Sequence, residues 1–139
     1  MYALDLPTGR TIRRTHNGNP VPGSALPCGD IDPSGITGTP AIDPAANRLH
    51  AVTFVQPGHH ELVSLDLNTG GIQFRQPIDP PGANPPVHQQ RAAPALSQGM
   101  VYVAYGGLFG DCGGYHGWVV AAGAADGASR DDVPGPGGA

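Results

Sequence analysis

Residues 2–9 (YALDLPTG) and residues 63–70 (VSLDLNTG) are two copies of one pattern, apolar-x-Leu-Asp-Leu-x-Thr-Gly. A chain that repeats itself in this way builds one supersecondary unit more than once. The chemistry of the pattern is that of a strand entering a tight turn. Alternating apolar residues give one face of a strand, the Asp carboxylate accepts backbone N–H groups in the turn, and the Gly supplies a positive φ. Asp5, Gly9, Asp66 and Gly70 are therefore expected to be structural turn residues. A third, decayed copy spans residues 118–127 (WVVAAGAADG), with Gly123 at the Asp position and Asp126 at the Thr position.

A second block precedes the motif at residues 63–70 and its decayed copy at residues 118–127. Residues 39–43 followed by 48–52 match residues 93–97 followed by 100–104, each a short strand, a turn and a longer apolar strand. Four strands fit within residues 39–76, at 39–43, 48–55, 61–67 and 71–76, with turns at 43–47, 56–60 and 68–70. The 22 Gly and 16 Pro residues exclude long helices and favour a turn-dense β protein. The expected fold class is all-β, in four-stranded antiparallel units: one complete unit at 39–76, flanked by incomplete ones at 2–14 and 92–122. Residues 123–139 have no apolar period and are expected to form an irregular Gly/Pro-rich tail. If every unit starts in the same direction, antiparallel alternation puts the connections 15–38, 56–60, 77–91 and 106–117 on one face. The tight turns fall on the other. The long-loop face is then the one able to bind something.

Charge and length set further bounds. Seven basic residues, all Arg, against 11 acidic ones give a net charge of −4. That balance gives no electrostatic reason to expect a nucleic-acid or anionic-membrane partner. No run approaches the roughly 20 apolar residues of a transmembrane helix. There is no signal peptide, and Met1 opens within a strand, so the 139 residues read as one domain cut from a longer protein.

The Leu-Asp-x-x-Thr-Gly copies, together with residues 28–40 (CGDIDPSGITGTP) and 115–118 (YHGW), resemble the repeats of exported bacterial PQQ-like (pyrroloquinoline-quinone-type) β-propellers. The resemblance covers residues 2–127. It implies a partial propeller of four-stranded blades, an exported protein, and the remaining blades of the same chain as partners. Quinone-dependent members carry a Trp eight residues after the motif Asp, locking blades together. Here those positions are Arg13 and Phe74. The resemblance therefore favours a non-catalytic binding or scaffold module with no cofactor. The alternative is a fragment of a quinoprotein-type oxidoreductase using PQQ with calcium.

Candidate site residues follow from the loop face. Cys28 and Cys112 lie in loops assigned to it, and in an exported protein a disulfide is a natural reading, with two reduced thiols as the alternative. They are not adjacent, which excludes the vicinal pair of quinoprotein dehydrogenases. His59, His60, His88, Arg91, Asp111 and His116 are candidates for binding a protein or small molecule there. Arg91 is expected to enter a first strand, which in a propeller lines the central channel. No C-x-x-C or H-x-x-x-H spacing marks a metal site. Residues 106–110 (GGLFG) lack the Lys-Ser/Thr of a phosphate loop, and no nucleophile elbow or paired-carboxylate motif is present, so no catalytic residue is assigned. Tyr115 and Trp118 are expected to pack between blades.

Overall fold

The computed structural model describes residues 1–137. It is all-β and antiparallel, apart from two single-turn 3-10 helices at Gly23–Ala25 and Pro85–Val87. Strands β1 (Tyr2–Leu4) and β2 (Thr11–Arg14) form a hairpin. Strands β3 (Ala41–Asp43), β4 (Arg48–Val55), β5 (His59–Asp66) and β6 (Ile72–Pro77) form a meander in the order β3-β4-β5-β6. In the third sheet β8 (Ala95–Ser97), β9 (Met100–Gly107), β10 (His116–Gly123) and β11 (Ser129–Gly137) repeat that meander. The two-residue β7 (His88–Gln89) pairs with the far end of β9.

Three sequence expectations are corrected here. Residues 123–139 do not form an irregular tail: after a turn, the backbone of β11 pairs along β10 from Ala122↔Ser129 to His116↔Gly137. Proline and glycine hid this strand from a reading based on apolar alternation, yet an outer strand needs to pair on only one side, so it tolerates both residues. Residues 138–139 of that segment lie outside the described residues. The turn after β4 is also shorter than residues 56–60, because His59 and His60 already belong to β5, paired with Val55 and Phe54. Arg91, finally, lies exposed in the segment before β8 rather than in a first strand.

The middle sheet is covered on both faces, and alternation decides which side chain goes where. Val52 and Leu62 point toward the third sheet, where they form one core with Ile78, Val101, Val103, Tyr105, Val120 and Ala122. Phe74, Leu96 and Trp118 pack against that core at its margin. On the opposite face Leu49 and Leu65 border a narrow gap with Ala3 and Arg13 of the first hairpin. Burial on both sides is why residues 51–54 read as a short continuous run instead of an alternating one.

The three turn copies share one hydrogen-bond geometry. Gly9, Gly70 and Gly127 donate their N–H groups to the carbonyls of Asp5, Asp66 and Gly123 at 2.8, 2.8 and 2.7 Å. The N–H groups of Asp5, Asp66 and Gly123 donate in turn to Arg10, Gly71 and Ala128 at 2.8, 2.9 and 2.9 Å. Each Gly has a positive φ, at 69°, 70° and 73°. The Asp66 carboxylate accepts the N–H groups of Asn68 and Thr69 at 2.9 and 2.7 Å, and these bonds hold it below its usual range. The backbone turn survives in the third copy without that carboxylate.

The second and third turns also dock on the preceding sheet. A Cβ placed on Gly70 would meet Arg13 Cδ at 2.7 Å and Thr15 Oγ1 at 3.1 Å. One placed on Gly127 would meet Phe74 Cε2 at 2.6 Å and Gln76 Cγ at 2.8 Å. Arg13 and Thr15 occupy the same repeat positions as Phe74 and Gln76, so one packing relation stacks sheet one on sheet two and sheet two on sheet three. Arg13 donates to the Asn68 carbonyl, and Thr15 Oγ1 donates to the Gly70 carbonyl at 2.7 Å.

Candidate functional site at the long-loop face

The connection at residues 15–38 is a strap laid across the end of β4. Its backbone is tied there by hydrogen bonds from Gln56 N–H to the Asn19 carbonyl (2.9 Å) and from Phe54 N–H to the Gly35 carbonyl (3.0 Å). Val21 and Ser34 close its neck with a reciprocal pair of bonds, both 2.8 Å. Beyond the neck, Cys28 is joined by a disulfide to Cys112 in the loop between β9 and β10, with α-carbons 6.0 Å apart. At the strap's other end Thr37 Oγ1 donates to the Gln90 carbonyl at 2.6 Å. The strap thus joins the middle sheet to the loops of the third.

Beneath it the histidines divide by environment. His60, expected among the loop-face binding candidates, is only 2% exposed because it sits on β5 facing the core. Its ring stacks on Phe54 (centroids 4.4 Å apart) and meets the Tyr105 ring edge-on at 5.1 Å. Burial lowers its proton affinity below the usual value, in spite of the neighbouring Asp79. The neutral ring donates Nδ1–H to Asp79 Oδ1 at 2.8 Å, and the His60 backbone N–H donates to the same oxygen at 2.9 Å. His59, exposed, reaches Asp79 Oδ2 through Nδ1 at 3.2 Å. Partial burial works against the Asp79 carboxylate, but these hydrogen bonds outweigh it and hold the group below its usual range.

His88 is likewise buried, its Nδ1 donating to the Asn84 carbonyl at 2.8 Å. Its ring lies edge-on to Tyr115, whose hydroxyl donates to Asp111 at 2.7 Å; that bond raises the phenol above its ordinary value. His59 and His60 therefore converge through Asp79, and His88 and Asp111 through Tyr115. Arg91 and His116 stand exposed outside both groups. Asp79 escaped the sequence reading although it is the one carboxylate in the connection 77–91, where the following Pro80 restricts Asp79 to extended backbone before the chain turns at residues 80–83.

A second set of residues, absent from the sequence candidates, surrounds the start of the strap. Arg14, His16 and Tyr2 line a cleft of about 310 Å³ together with Thr53 and Val55 of β4. Arg14 lies over the Tyr2 ring, 5.6 Å from its centroid. Among the described residues no three His, Cys, Asp or Glu side chains group together as a cation site of such residues would require. No protein-family model and no curated protein matches this chain.

Proposed function

We propose that the chain is part of a PQQ-like β-propeller that serves as a non-catalytic binding or scaffold module. The observation that carries this reading is the repeated docking of a turn glycine on the sheet before it, Gly70 on Arg13 and Gly127 on Phe74. Arg13 and Phe74 occupy the position at which the quinone-dependent relatives carry their locking Trp. One stacking relation applied again and again generates a ring or a solenoid. Gly9, the first turn glycine, has nothing within 4 Å of its Cβ position. Beside it Tyr2, Leu4 and Ile12 are 60%, 57% and 58% exposed. In this reading a further sheet covers that face and sets a side chain over Gly9. The disulfide supports an exported protein.

The long-loop face is the working face, because the strap, the β9–β10 loop and the buried histidines gather there while the opposite face carries only tight turns. The structure of the assembled full-length protein tests the architecture. A closed ring with a neighbouring sheet over Gly9 is the expected result, and a three-sheet particle with Tyr2 and Leu4 in solvent overturns it. A dye-reduction assay with added quinone and calcium tests the second half: no turnover is expected, and quinone-dependent dye reduction would replace the scaffold reading by an oxidoreductase.

A further inference from the structure

The cleft at the start of the strap is lined by a guanidinium and by no carboxylate. The protein carries a net charge of −4. Yet none of the residues lining this cleft is Asp or Glu, and Arg14 is among them. Glu61, on β5, is paired with Arg75, which also donates to the Asn17 carbonyl at 3.3 Å. Val55, Ile36, Pro20 and Tyr2 give the lining apolar surface. Thr53, 1% exposed, contributes a hydroxyl with no hydrogen-bond partner among the described residues. The volume of about 310 Å³ is at the lower end of what holds a small organic molecule.

We infer that this cleft binds a small monocarboxylate with an apolar or aromatic body. The guanidinium of Arg14 is the partner for the carboxylate, since its planar donor fork matches that geometry and it is held beside the Tyr2 ring. The body of the ligand lies against Val55, Ile36 and Pro20. Local positive potential in a cleft also raises the concentration of an anion at its mouth. The inference goes beyond the ring reading: a further sheet over Tyr2 and Leu4 would cover the same side of the first hairpin, so the inference concerns the chain with Tyr2 in solvent.

The test is an amide NMR titration of the ¹⁵N-labelled chain with benzoate, in parallel with benzyl alcohol as the uncharged counterpart. The expected result is saturable shifts at Asn17, Gly18, Gly35 and Val55 with benzoate, and affinity at least about tenfold weaker for benzyl alcohol. Arg14→Gln is expected to remove that difference with the amide spectrum otherwise retained, whereas Arg91→Gln, at an exposed Arg outside the cleft, leaves it unchanged. Absence of saturable shifts in the cleft overturns the inference. So does equal binding of benzoate and benzyl alcohol by the unaltered chain, a result that needs no variant to fold.

Discussion

Phe74 lies against Gly127 so closely that a methyl group on the glycine would meet its ring at 2.6 Å. Gly9 has nearly the same backbone geometry, φ 69° against 73°, but open space where Phe74 would be. The pair separates the cost of left-handed backbone from the cost of lost docking. Gly9→Ala is expected to destabilise by about 1 kcal/mol, the backbone term alone. Gly127→Ala adds an overpacked contact and is expected to cost about 2–4 kcal/mol in all. Urea melts of the two variants check this, and equal losses would show that the docking contact contributes nothing.

The Cys28–Cys112 disulfide closes a long loop, with a sequence separation of 84. Cross-linking so much chain restricts the unfolded ensemble, so Cys28→Ser with Cys112→Ser is expected to cost about 2–4 kcal/mol. Intact-mass measurement without reductant should find the native chain lighter by two hydrogens than the reduced one. Two free thiols in the oxidised preparation would contradict the pairing.

Buried histidines make the fold acid-sensitive. Burial holds His60 and His50 below the ordinary histidine value of 6.5, so the unfolded chain takes up protons at a pH where the folded chain does not. Stability from this source is complete above about pH 6.5 and drains away as the pH falls toward the lower folded values. Asp79 and Asp66 act lower on the scale: held below the ordinary 3.8, their contribution is intact above that value and is lost as the pH falls beneath it. The denaturation midpoint is expected to drop between about pH 7.5 and 5.5. His50 has no hydrogen-bond partner at either ring nitrogen among the described residues. His50→Leu should therefore flatten part of the drop without breaking a bond, and a flat profile in the unaltered chain would refute this account.

Leu62 is fully buried between the middle and third sheets, whereas Val119 on β10 is 41% exposed on the far side of the third sheet. Leu62→Ala should cost about 3 kcal/mol through lost transfer energy and the cavity left behind. Val119→Ala should stay within about 0.5 kcal/mol. Comparable losses at the two sites, read from chemical denaturation, would mean that the sheets do not stack as described.

Much of the fold was legible because turns and strands are written locally. The Asp66-to-Gly70 turn needs a carboxylate, a short bend and a residue tolerant of positive φ, and all three are visible in residues 66–70. The middle meander was likewise marked by its turn residues. β11 was not legible, because an edge strand can be built from Pro, Gly and Asp when its partner β10 supplies the ladder. The long-loop candidates were legible as a group but not as an arrangement. Nothing local distinguishes His59, exposed, from His60 beside it, buried between Phe54 and Tyr105.

The sequence alone determined the repeat, the antiparallel units and the two classes of connection, since these depend on backbone preferences and on alternation over a few residues. Only the tertiary structure decided that Arg13 and Phe74 serve as equivalent docking residues, that Asp79 gathers two histidines, and that Arg14 and His16 line a cleft free of carboxylates. These relations join residues far apart in the chain. Their geometry is set by how the sheets stack, which no short stretch of sequence encodes.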